Sequence, residues 1–515
     1  MSREILKHYL PIACAVSAMA LLLSPCSNAA DWKISPSLNL TETYTDNTQL
    51  SSQAAQTSNF VTQISPGISV AGIGPRLKVN ANYALQHLIY SQDSRNDATH
   101  NQLHAGANAE LVNNLFFLDS TAVISQQNIS LFGPQTTDNI NVTGNRAEVR
   151  TYSISPFLRH RFDSTATSEL RYTRDAVSTN TSGLSNSKAD SLLFQLNSGS
   201  AFNRLGWGLK YNKKNIDYSS TPSVDQETTA ADLRVLITPK FSLTATRGYD
   251  KYSYLANVDK PNGHSWSTGF AWAPFARTSL AASSGRKFFG KTYMLAANHR
   301  SRRTMWNLNY NQDITSMHSQ QFIGTDETSV SLNQLWTDKY PDPLLRQQNV
   351  DTFIHDNGLK AFEPINSFTN QFILQKRLQA SVAFNGAKST LLFSMFHVLR
   401  EAQTSQMLDN ALLTALNATS NLALNDKTKQ DGINALWSWA ISPRSSASFS
   451  AAYTKTVSLS SDITNYNKMT KLRLTSQLHP RLNGSVEIRH SQLDSNQSGS
   501  DYRENAITAS LSMKF

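Results

Sequence analysis

This sequence predicts an all-β fold, an antiparallel up-and-down β-barrel that crosses a membrane with about 22 strands, roughly 18–24 being compatible with the pattern. Three observations predict it. Apolar side chains recur at every second position in segment after segment. Tight turns marked by proline alternate with long polar stretches. The chain ends NAITASLSMKF, which puts Ile507, Ala509, Leu511, Met513 and Phe515 on one face of a strand running to the last residue.

The elements follow in order. Residues 1–30 read as a signal peptide: Arg3 and Lys7 precede the apolar LPIACAVSAMALLLSP, and SNAA suits cleavage after Ala29 or Ala30. Pro11 and Pro25 break an apolar run that falls short of the ~20 residues of a spanning helix. LSPC at 23–26 loosely resembles a lipobox, which would make Cys26 a lipidation site, although Pro25 fits that pattern poorly. Cys14 and Cys26 are the two cysteines of the chain, so the mature protein would hold none. That excludes disulfides, CxxC metal sites and a cysteine nucleophile. Charged residues make up 16% and the mean hydropathy is −0.38, with no long apolar run after the leader, which argues against a helical membrane protein. A chain of 515 residues also outgrows one ordinary core. A barrel escapes that limit because lipid covers its apolar face.

From residue 31 to 515 the alternation is continuous enough to place strands. In RLKVNANYALQ, Leu77, Val79, Ala81, Tyr83 and Leu85 oppose Arg76, Lys78, Asn80, Asn82 and Gln86. LGWGLKYN sets Leu205, Trp207, Leu209 and Tyr211 against Lys210 and Asn212, and INALWSWAI sets Ile433, Trp437, Trp439 and Ile441 against Asn434 and Ser438. A slip of one residue would exchange the two faces. The connections APFART, ISPRSS and LHPRL carry proline and then a basic residue, and proline cannot pair inside a central strand. Long stretches such as 91–99, 130–144 and 178–188 are rich in Ser, Asn, Thr and Asp. Tight turns at one end and long loops at the other are how outer-membrane barrels of bacteria are built.

Tyrosines supply a ruler. From Arg76 to Tyr83, Arg204 to Tyr211, Arg303 to Tyr310 and Arg444 to Tyr453, seven to nine steps at ~3.3 Å and ~40° tilt climb roughly 18–23 Å, close to the ~25 Å apolar band of such a barrel. An even strand count places both termini on the tight-turn side, the periplasm, in the outer membrane of a Gram-negative cell. The count is least secure at 184–202, 286–300 and 315–367. The last of these, at about 315–367, is the longest loop and is open to two placements, an extracellular cap or a constriction folded into the lumen. The terminal alternation at Ile507, Ala509, Leu511, Met513 and Phe515 matches the signal that such barrels present to their assembly machinery, followed by pairing of the last strand with the first, which leaves no edge.

The formal net charge is +10. Lys78, Glu169, Arg171, Lys210, Arg234, Lys471, Arg473, Glu487 and Arg489 lie opposite the apolar face, hence toward the lumen. Their basic excess would draw anions into an open pore, unless the charges pair with one another and brace the interior. Basic residues at the tight turns, including Arg76, Lys240, Arg277, Arg444 and Arg481, suit inner-leaflet headgroups or a periplasmic partner. The charge is too dispersed for nucleic acid. No GxSxG, HExxH or Walker loop occurs, and His100 and His104 share a strand face without a third ligand. No enzyme, cofactor or metal is expected. With strands starting at Trp32, no N-terminal plug domain is expected either.

The stretches WKISPSLNLTETYTDNTQL (32–50), FVTQISPGISVAGIGPRLKVNANY (60–83) and ISQQNISLFGPQTTDNINVTGNRAEVRTYSISPFLRHRF (124–162) resemble a family of proteobacterial outer-membrane proteins described as PEP-CTERM system-associated. The resemblance runs along the whole mature chain and brings no catalytic or binding residues with it. It implies association with exosortase and exopolysaccharide loci, and a role in exporting or anchoring extracellular polysaccharide or sorted proteins with periplasmic export proteins as partners. Two other roles fit the residues alone: a diffusion porin for small anionic solutes, and a plugged barrel acting as a surface scaffold or adhesin.

Overall fold

In the computed structural model, residues 31–515 are described except 137, 182–184, 220–221, 254–260, 323–326, 338–339, 342–345, 348, 351–352, 355–363, 365–370 and 405–426. The expected signal peptide, with Cys26, lies outside the described residues.

The strands are β1 Asp31–Thr45, β2 Asn59–Ile73, β3 Leu77–Tyr90, β4 Ala98–Val112, β5 Phe116–Asn128, β6 Arg146–Phe162, β7 Ala166–Thr179 and β8 Ser187–Ser198. Then come β9 Leu205–Tyr218, β10 Val224–Thr238, β11 Phe241–Tyr252, β12 Asn262–Phe275, β13 Thr278–Lys287, β14 Gly290–Arg300 and β15 Thr304–Thr315. After two short helices, α1 Met317–Phe322 and α2 Glu327–Leu335, follow β16 Ile373–Asn385, β17 Ser389–Ala402, β18 Lys427–Ser442, β19 Ser445–Ser458, β20 Thr464–His479, β21 Leu482–Ser495 and β22 Tyr502–Lys514. Each strand pairs antiparallel with the next, and β1 pairs with β22, so the 22-stranded sheet closes on itself. Every strand expected from the alternation is present, including the doubtful hairpin β13–β14.

Closure uses the residues of the terminal pattern. Leu40 stands opposite Leu511 and Tyr44 opposite Ile507. On the other face Thr43 and Thr508 hydroxyls lie 3.0 Å apart, and the Phe515 amide donates to the Pro36 carbonyl at 3.0 Å. The last strand therefore cannot fray without opening the barrel.

The faces separate by exposure. Leu472, Leu474 and Ile488 point outward and are half exposed, whereas Lys471 and Arg489, their chain neighbours, are buried. Lipid would cover the first set, so this wall needs no second layer. Near one end of the wall the Trp32 ring covers Gly72 on the paired strand, where a Cβ would meet the ring at 2.6 Å. At the other end Gly290 turns the β13–β14 hairpin at φ +122°, a conformation that side chains other than hydrogen disfavour.

Connections such as 74–76, 239–240, 443–444 and 480–481 gather at one end, with both chain ends. The strand ends that bound 46–58, 129–145, 316–372 and 403–426 gather at the other. The largest apolar cluster lies inside the ring rather than between layers, built from α2 and the inward faces of β15–β18.

Candidate functional site: an occupied lumen

Two long connections turn into the barrel. The first is 316–372, followed here through its described residues 316–322, 327–337, 340–341, 346–347, 349–350, 353–354, 364 and 371–372. From the end of β15 it crosses to the opposite wall, where Met317 of α1 packs with Ile129, Ala147, Val149 and Val177. His318 Nδ1 lies 2.7 Å from the Ser187 hydroxyl of β8 and its Nε2 is 3.9 Å from Asp175 of β7, while Gln321 and Gln127 exchange amide hydrogen bonds at 2.9 and 3.2 Å. Burial holds His318 below its ordinary value, with Asp175 pulling the other way and Lys214 adding to the lowering. The imidazole is therefore neutral near pH 7.

The same connection then descends. Leu332, Leu335, Trp336, Val350 and Ile354 pack on Met305, Ala383, Leu392 and Leu436, the inward residues of β15–β18. Met305 is the second residue of β15, beside the tight turn 301–303, and Ala383 stands directly opposite it. Ser331 of α2 accepts from the Asn307 amide and lies 3.3 Å from the Ser381 hydroxyl. The segment thus reaches from the long-loop end almost to the tight-turn end. Of the two placements open from the sequence, this is the lumen one.

The second is 129–145. It leaves β5 and re-enters at β6, yet it is fastened to β2, β3, the connection between β1 and β2, and β20–β22. Ile140 packs with Val61, Leu88 and Tyr90, and the Tyr90 hydroxyl donates to the Ile140 carbonyl at 2.9 Å. The Val142 amide donates to Thr48, the Asn465 amide to the Phe132 carbonyl at 3.0 Å and the Tyr502 hydroxyl to Gln135 at 3.2 Å. Its strongest tie is ionic. Arg489 of β21 donates to Asp138, and also to Glu504 of β22 at 2.8 Å, where Asn141 and Thr45 donate as well, at 2.8 and 2.9 Å. Burial pushes the Asp138 carboxyl up, but Arg489, Lys471 and Arg146 outweigh it and hold it below the usual carboxylate range. Asp138 is a carboxylate at any physiological pH.

The nine charges expected to face the lumen divide into two sets. Lys471 lies 3.6 Å and Arg473 3.9 Å from Glu487, and Arg489 is bound as above. Arg171 bridges Asp119 at 2.8 Å and Glu169 at 2.9 Å and lies 3.7 Å over the Phe157 ring, with Arg159 also on Glu169 at 2.7 Å. These are internally neutralised networks. Lys78, Lys210 and Arg234 are exposed and have no ion-pair partner among the described residues. Of the nine expected charges, these three keep an uncompensated positive charge among the described residues.

Sequence reasoning missed Asp119, Asp138, Glu504 and the inward course of 129–145. Asp119 and Glu504 were within reach, since both sit on the non-apolar side of an alternating strand. Asp138 was not, because it belongs to a polar loop with no periodicity. His100 Nδ1 lies 3.2 Å from the Gln126 amide nitrogen rather than in a ligand set, and no group of three or more His, Cys, Asp or Glu could hold a metal among the described residues.

No protein-family model and no curated protein matches the sequence. Solved structures do. The F5-1 variant of the FrpB iron transporter from Neisseria meningitidis aligns over 95% of this chain and 83% of its own at 9% identity and TM-score 0.51. The F3-3 variant aligns over 93% and 82% at 10% identity and TM-score 0.50. At these identities the likeness is one of fold: this chain is a closed 22-stranded antiparallel β-barrel of the outer-membrane type.

Proposed function

We propose that the protein is a gated conduit of the outer membrane, closed at rest by its own segments 129–145 and 316–372, with its long loops on the cell surface and both termini in the periplasm. The observation that carries this reading is the docking of the described parts of both segments on the inner wall through hydrogen bonds, ion pairs and separate apolar clusters, the largest of them around α2. Contacts of this kind release one by one, unlike a continuous core. The cargo class follows from the resemblance to PEP-CTERM system-associated barrels: an extracellular polysaccharide or a sorted protein, delivered by periplasmic export partners that supply the energy. In vivo, a deletion should stop polymer reaching the surface while synthesis continues. In planar bilayers the intact protein should be silent or show brief openings, and removal of 316–372 should yield a large steady conductance. A large conductance from the intact chain would sink the gate.

A second reading, a porin for small anions, draws on the unpaired Lys78, Lys210 and Arg234. It requires steady conductance from the intact chain with an anion-selective reversal potential, which separates the two.

A further inference from the structure

On the outer wall of β11–β14 one cross-strand row reads Arg247, Trp266, Arg286, Lys291, each residue directly opposite the next. The row projects from the same face as Leu243, Phe270, Ala282 and Leu295, four positions away along each strand. All four members are exposed. From Phe275, at the tight-turn end, to Trp266 is nine residues, about 23 Å at ~3.3 Å per residue and ~40° tilt. The row therefore lies where the apolar band ends and headgroups begin.

Three cations stand here without a carboxylate partner among the described residues. Elsewhere on the molecule Arg174 meets Asp190 at 3.2 Å, Lys429 meets Asp431 at 3.2 Å and Lys468 meets Asp494 at 2.9 Å. Among the described residues none of Arg247, Arg286 and Lys291 has an ion-pair partner. Between the cations and the apolar band, the next row is Ala245, Thr268, Ser284 and Tyr293. Three of these four side chains are small, and two of the three carry hydroxyls. Three strand spacings of ~4.8 Å make the row about 14 Å long, the scale of one multi-charged headgroup.

We propose that Arg247, Arg286 and Lys291 bind the phosphates of a glycolipid headgroup in the outer leaflet, with Trp266 against its sugar and the apolar residues below along its acyl chains. Guanidinium groups bind phosphate through paired hydrogen bonds, and tryptophan favours the boundary between apolar and wet regions. With no carboxylate partner among the described residues, an exposed lipid-facing strip of cations draws its counter-charge from the membrane. The site rests on the orientation given above, long loops outward, and is independent of the gate.

Native mass spectrometry of the full protein in detergent tests it, with bisphosphorylated lipid A, its dephosphorylated form and phosphatidylglycerol as probes. The wild type should hold bisphosphorylated lipid A at least tenfold more tightly than either of the others. The triple variant Arg247→Gln, Arg286→Gln, Lys291→Gln should lose that preference, while Lys468→Gln keeps it. If the triple variant does not give the heat-modifiable migration of a folded barrel, Arg286→Gln alone, in mid-row, should lose threefold. Equal retention of the dephosphorylated lipid, or wild-type retention by the folded variants, overturns the site. Separately, Ser460→Cys, in the connection between β19 and β20 at the end opposite the tight turns, reports orientation in intact cells. Labelling by an impermeant maleimide supports outward loops, and failure to label overturns both the orientation and the outer-leaflet assignment.

Discussion

Arg489 of β21 reaches Asp138, a residue 351 positions earlier in the chain, and so ties a loop between β5 and β6 to a strand six places away around the ring. The same guanidinium binds Glu504 on the neighbouring strand, which makes Arg489 the shared cation of two carboxylates.

Arg489→Gln should cost about 3–5 kcal/mol locally, because Glu504 stays buried with its cation gone. Asp138→Asn should cost less, since Arg489 keeps Glu504. Both variants should raise the open probability in planar bilayers, Arg489→Gln the more. Unchanged silence in both would mean that the ionic tie does not hold 129–145 in place.

The docking of α1 should weaken on mild acidification. His318 has a depressed value in the folded protein, so the unfolded or undocked segment takes up its proton first, near the ordinary ~6.5. The stability that the buried neutral ring contributes is fully present above that value and is lost as pH falls below it toward the folded one. Asp138 also has a lowered value, so its contribution goes in the same direction but only in stronger acid, below the usual carboxylate range. Openings should therefore increase between pH 7 and pH 5, and His318→Gln should abolish the change over that interval.

Leu332→Ala empties a position that is fully buried between α2 and the wall, at about 2–5 kcal/mol. The barrel itself does not depend on that contact. Protease should cut within 316–372 faster in the variant, while the heat-modifiable gel shift of the barrel stays where it was. Loss of that gel shift would show that the segment is part of the barrel's stability rather than a removable stopper.

Leu511→Arg should cost roughly 2–4 kcal/mol, since Leu511 faces outward opposite Leu40 on the closing strand pair. The expected readout is a lower folded yield in lipid vesicles. Thr508→Ala, on the inner face of the same strand, should fold close to normally, because it loses a single hydroxyl contact to Thr43.

Period two made the barrel legible. Leu472, Leu474, Ile488 and Leu511 need only a lipid face, and Lys471, Arg473 and Arg489 only its opposite, so neighbours along the chain suffice to place each strand. The same holds for the closure of β22 on β1, which an even count and an alternating end require.

The sequence by itself determined an all-β barrel of about 22 strands and the alternation that sorts side chains onto two faces, because these depend on spacing within about fifteen residues. The tertiary structure decided that 129–145 and 316–372 turn inward, that Arg489 joins Asp138 to Glu504, and that the lumen cations Arg171 and Lys471 are neutralised. Those outcomes depend on partners hundreds of residues apart, brought together only when the ring closes.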